Sequence, residues 1–91
     1  MKLSDTEVKT RLAELQDWTL DHGAISRTFQ LPTFPAAILF VGAVGHLAEA
    51  VGHHPDILIT YTKVKLSLVT HDEGGLTEKD FALAGRINLL A

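Results

Sequence analysis

Three helical stretches alternating with two separate hairpins predict an α+β fold. The expected form is a two-layer sandwich, α-β-β-α-β-β-α, with one four-stranded antiparallel sheet carrying its helices on one face. Three observations predict it. Ser4-Asp5-Thr6-Glu7 and Thr77-Glu78-Lys79-Asp80 have the form of capping boxes and open two helices. Phe34 to Val51 is a long apolar stretch of helical character. Residues 56–71 change the phase of their apolar alternation partway along, which a strand does only at a turn or a bulge. No strand–helix–strand parallel crossover is indicated, so the hairpins are expected to share one antiparallel sheet in a single domain, 1–91.

In order, Val8, Leu12 and Leu15 follow the first box at helical spacing and predict a short amphipathic helix over 5–15. Trp18 to Leu20 and Ala24 to Phe29 read as strands joined by an Asp21-His22-Gly23 turn. Thr33 is the expected N-cap of the long helix, with Pro35 in its first turn, where a missing N–H is harmless. Gly52 suits its left-handed C-terminal cap. Phe34, Ile38, Val41, Ala48 and Val51 lie on one side of this helix, and Ala37, Phe40, Val44 and Leu47 widen the apolar surface nearly all round. Such a helix is covered on most sides, and in so small a domain one side is expected to face another subunit. A turn at Thr62-Lys63 would pair Tyr61 with Val64, Ile59 with Leu66 and Ile57 with Leu68. The last helix then places Phe81, Ala84, Ile87 and Leu90 on its inner stripe.

Composition narrows function. The net charge is −3 with no Lys/Arg cluster, which argues against direct nucleic-acid contact. There is no cysteine, hence neither disulfide nor thiolate chemistry. The N-terminal MKLSDTEVKT has no apolar signal-type region, and Phe34–Val51, interrupted by His46 and Glu49, is marginally short for a span of roughly 20 residues. A cytoplasmic location away from membranes is the expectation.

The chemistry concentrates in Gly52-His53-His54-Pro55-Asp56. Pro55 restricts His54 to extended backbone, and neighbouring side chains of an extended segment point to opposite sides. The two imidazoles therefore suit a flat ligand approached from two directions better than one shared metal ion. With a Thr62-Lys63 turn, His54 would stand opposite His71, with Cβ atoms roughly 4.5–5.5 Å apart. Glu49 sits in the last helical turn, where its charge opposes the macrodipole, a placement explained if it pairs with a histidine or a ligand N–H. A metal site from Glu49, His53, His54 and His71 is the competing reading, but neither an HExxH pair nor a cysteine ligand accompanies it. Asp80 has a sufficient role as a cap, and Tyr61 as turn or core packing.

The run EAVGHHPDILITYTKVKLSLVTHDEGGLTEKD resembles the pterin-4a-carbinolamine dehydratase family, also known as dimerisation cofactors of a homeodomain transcription factor. Glu49, His53, His54, Pro55, Tyr61, His71 and Asp80 meet that family's pattern in order and spacing, and the likeness extends more weakly over the whole chain. The resemblance implies dehydration of 4a-hydroxytetrahydrobiopterin to quinonoid dihydropterin, with no metal and no cofactor. It implies catalytic roles for His53, His54 and His71, and substrate contacts for Glu49, Tyr61 and Asp80. Expelling hydroxide from C4a needs a proton donor at the oxygen and an acceptor for a ring N–H, and histidine does either near neutral pH. His54 and His71 are expected to flank the hydroxyl, one as acid and one as base, with His53 on the opposite side. Lys79 stands where animal members often carry Arg, a point charge in place of a fork, which bears on which pterin is used. A homodimer or homotetramer is expected. A non-catalytic dimerisation module is the alternative function.

Overall fold

The computed structural model describes residues 1–91. Its elements are α1 (Asp5–Glu14), β1 (Thr19–Asp21), β2 (Ala24–Gln30), α2 (Phe34–Val51), β3 (Asp56–Thr60), β4 (Lys63–Leu68), a 3-10 turn (His71–Glu73) and α3 (Glu78–Asn88). The four strands form one antiparallel sheet in the order β1-β2-β4-β3. This is the predicted α+β sandwich. The second hairpin joins the first through its later strand, β4, which pairs with β2, so β1 and β3 are the two edges.

Each element follows from its residues. Both capping boxes form: Ser4 and Glu7 exchange hydrogen bonds at the head of α1, and Thr77 and Asp80 at the head of α3. Thr33 caps α2 by accepting from the Ala36 N–H, and Gly52 ends it at φ 69°. Ile25, Phe29, Val64, Leu66 and Leu68 are buried on the helix side of the sheet, with Ala37, Phe40, Val44 and Ala48 of α2 and Phe81, Leu83, Ala84 and Ile87 of α3. Burying each Val, Leu, Ile or Phe side chain among these contributes about 1.5–3 kcal/mol. The opposite face carries Thr28, Lys63 and Lys65, with a Lys65–Asp21 ion pair at 3.0 Å.

By length and composition α2 could cross a membrane, but four of its residues pack into this core. Phe34, Ile38, Leu39 and Val51 remain exposed within the chain.

Two expectations need correction. The hairpin turn is Tyr61-Thr62, not Thr62-Lys63: Ile59 pairs with Val64, Ile57 with Leu66, and Tyr61 has no strand partner. The shift is two residues, so every apolar side chain keeps its face, and alternation cannot tell the two registers apart. Pairing with β2 is what separates them, since Phe29↔Val64 and Gln30↔Lys63 require β4 to begin at Lys63. The turn puts Tyr61 at φ 55°, unfavourable for a bulky residue, while its ring stacks on Phe34 with centroids 6.4 Å apart. The other correction concerns Leu90, which lies beyond the end of α3 and is partly exposed, not on its inner stripe. The helix ends at Asn88, whose side-chain Oδ1 accepts from Trp18 Nε1 at 2.7 Å and Arg27 Nη1 at 2.8 Å.

Candidate active site

The site begins with how α2 stops. Gly52 in the left-handed conformation lets its own N–H reach the Glu49 carbonyl and the His53 N–H reach the Ala48 carbonyl at 3.1 Å. That pair of bonds is a Schellman ending, and it fixes the backbone of His53 directly to the helix end. Pro55 then holds His54 extended before β3 begins.

His53 Nε2 lies 2.6 Å from Asp80 Oδ1, with the carboxylate fully buried. The second oxygen, Oδ2, accepts from the Thr70 hydroxyl and the Thr77 N–H, each at 2.9 Å, and the two threonine hydroxyls are themselves 2.9 Å apart. Asp80 thus acts as the third residue of a helix cap, as the sequence suggested, and also as the anchor of a histidine, a role the sequence reading did not assign. A buried charge needs several donors to offset its desolvation, and this one has them.

His54 is different. Its Nε2 meets Glu49 Oε1 at 2.7 Å, but both side chains are largely exposed, 63% and 81%. His71 opens the 3-10 turn directly after Thr70; it is exposed and makes no side-chain hydrogen bond within the chain. The proposed opposition of His54 and His71 fails with the register: carried beyond the ladder, the observed pairing sets His53 against Thr70 and His71 against Gly52. The first of these pairs converges on the same Asp80 carboxylate. Tyr61, at the far tip of the hairpin, stacks on Phe34 and not on any of these groups.

A cavity of about 160 Å³ adjoins His53, lined by Val51, Lys79, Ala82, Leu83 and Arg86. Two larger depressions of about 400 Å³ lie along the chain start and α1, and no histidine lines either. The smaller cavity is the one that a histidine lines. Its α3 residues fall at i, i+3, i+4 and i+7, one helical face, so Arg86 could have been found from Lys79 once the helix was admitted. Thr70 was missed because the assumed register put another residue opposite His53.

A two-layer sandwich with a histidine fixed on a buried aspartate beside a small cavity defines a compact α+β protein with a site suited to proton transfer. The Pterin 4 alpha carbinolamine dehydratase family model matches residues 1–90, and the chain belongs to that family. A Chloroflexus aurantiacus protein named "Putative pterin-4-alpha-carbinolamine dehydratase" is 59% identical over 87 residues, covering 96% of this chain and 94% of the relative. A solved structure of a transcriptional coactivator/pterin dehydratase from Brucella melitensis superposes with a TM-score of 0.94 at 33% identity, covering 100% of this chain and 99% of the other. A pterin dehydratase-like protein described as a RuBisCO assembly factor in the alpha-carboxysome superposes at 0.70 with 25% identity, covering 84% and 90%.

Proposed function

We propose that the protein is a hydro-lyase that eliminates water from a pterin 4a-carbinolamine, of the 4a-hydroxytetrahydrobiopterin type, giving the quinonoid dihydropterin. The observation that carries this reading is His53, held at 2.6 Å on a buried carboxylate at the wall of a small cavity. In the reaction the C4a–O bond breaks while the leaving oxygen takes a proton and departs as water. The electrons that replace that bond come from a ring nitrogen, which gives up its own proton. Asp80 orients the His53 ring through Nε2 and offsets the charge that develops when the imidazole is protonated. Nδ1 has no partner within the chain and is the nitrogen available to the substrate. His54, steadied by Glu49, and His71, one residue beyond Thr70, are the further groups able to move a proton.

The test is to generate a 4a-hydroxytetrahydropterin, add the protein, and follow the quinonoid product by absorbance. Acceleration over the spontaneous rate is expected, with His53→Ala lowering kcat/KM about 100-fold, the lower end of what a positioned proton-transfer group contributes. No acceleration by the wild-type protein would overturn the reading.

A second reading, a non-catalytic interaction module, draws on the exposed apolar side of α2. The same surface suits self-association into a dimer or tetramer, because Phe34, Ile38 and Leu39 are all exposed near the start of α2. Sedimentation is expected to show an oligomer at micromolar concentration that Leu39→Glu shifts toward monomer. A wild-type monomer would remove self-association, and oligomers unaffected by Leu39→Glu would place the contact elsewhere.

A further inference from the structure

The lining of the His53 cavity holds two cations that the dehydration does not use. Leu83 and His53 are its less exposed residues, while Lys79, Arg86, Ala82 and Val51 are exposed and form its rim. Lys79 and Arg86 stand seven residues apart on α3, two turns along one face. Neither forms an ion pair, although Arg11, Arg27 and Lys65 each find a carboxylate. Of the two carboxylates that flank Lys79 in sequence, Asp80 is buried and committed to His53, Thr70 and the Thr77 N–H, and Glu78 is held by Arg11. The lining of this cavity therefore carries two cations and no carboxylate, beside an apolar floor.

Size adds to the argument. About 160 Å³ is close to the roughly 150 Å³ that holds one benzene ring and below the roughly 300–1,000 Å³ of a complete ligand pocket. A ligand whose ring enters here must leave its substituent at the rim, among these cations. Arg86 presents a planar fork suited to carboxylate or phosphate, and Lys79 a mobile point charge.

We propose that Lys79 and Arg86 select pterins carrying an anionic substituent, phosphate or carboxylate, over neutral ones. The assignment of a pterin ring to the cavity rests on the dehydratase reading above.

The experiment titrates the full-length protein with three stable oxidised pterins, followed by fluorescence at low and high salt: one with a carboxylate substituent, one with a phosphorylated side chain, and one with a neutral hydroxylated side chain. At least one anionic ligand is expected to bind about tenfold tighter than the neutral one at low salt, and which one identifies the group recognised. High salt should shrink that preference, as it does for exposed charges. Lys79→Gln and Arg86→Gln should each reduce the ratio, the double variant should bring it near one, and Arg86→Lys should restore part of it. Equal affinities for all three, or a preference that survives the double variant, would overturn the proposal. Turnover of the matching carbinolamines is measured separately. Turnover without an anionic preference removes this inference alone. An anionic preference without turnover removes the dehydratase reading and leaves a binding site for anionic pterins.

Discussion

His53 and His54 are neighbours that each present Nε2 to a carboxylate, at 2.6 and 2.7 Å, yet the two pairs differ in nearly every other respect. Asp80 is fully buried, reaches His53 across 27 residues of chain, and accepts two further hydrogen bonds. Glu49 is five residues from His54, exposed, and has no other side-chain partner. Equal distance does not mean equal energy. The exposed pair competes with water and is worth roughly 0–1 kcal/mol. In the buried pair, removing the acceptor would strand donors that cannot reach water.

The largest expected effect is therefore on Asp80. Asp80→Ala leaves the Thr70 hydroxyl and the Thr77 N–H without their acceptor and opens the helix cap. The expected loss is about 2–4 kcal/mol by denaturant unfolding, together with loss of turnover. Asp80→Asn keeps the shape and one carbonyl oxygen, so it should lose less stability than Ala while still disturbing His53. A loss under about 1 kcal/mol for Asp80→Ala would mean that the hydroxyls re-pair locally, and the contrast between the two carboxylates would largely disappear.

Glu49 should give the opposite pattern. It sits in the last turn of α2, where negative charge is disfavoured by the helix carbonyls, and its pair with His54 is solvent-screened. Glu49→Gln is expected to change stability by less than about 0.5 kcal/mol, with a slight gain as the more favoured direction. Turnover should nevertheless fall, because a carboxylate kept in an unfavourable place is explained by what it does for substrate. Thermal melts and kcat/KM on the same preparation check both halves. A clear loss of stability with full turnover would make Glu49 a structural residue.

Much of this site was legible in the sequence, but at uneven depth. Gly52 and Pro55 each constrain the backbone on their own, so the positions of His53 and His54 at the helix end follow from local rules. The placement of Glu49 against the helix dipole called for a partner, a histidine or a ligand N–H, and His54 is the one found within the chain. What local rules could not supply was the partner of His53. That depends on the register of β3 on β4, and two registers two residues apart bury the same side chains. The choice between them lies in a long-range fact, the pairing of β4 with β2 from Lys63 onward, and in a turn that places Tyr61 at positive φ against its preference. The same slip exchanged Thr70 for His71 in the expected cluster. The fold class survived because it depends only on which face each residue takes, and a shift of two preserves that.

Arg11 and Glu78 sharpen the comparison at its weak end. They join α1 to α3 through a two-pronged contact, Nε to Oε1 at 2.7 Å and Nη2 to Oε2 at 3.1 Å, near the solvent. Hydrogen bonding from Arg11 holds the Glu78 carboxyl below its ordinary value of 4.5. A carboxyl depressed in the folded state takes up its proton more readily when unfolded. Its stabilising contribution is thus present above about pH 4.5 and is lost as pH falls through the lower folded value. Arg11→Gln should flatten that part of the acid-unfolding profile and leave the melting temperature at pH 7 only slightly lower. The Asp80 network should be untouched, since the cap at Thr77 and the bond to His53 do not involve Arg11. If Arg11→Gln instead destabilised the protein at pH 7 as much as Asp80→Ala, burial would not be what separates strong carboxylate contacts from weak ones in this molecule.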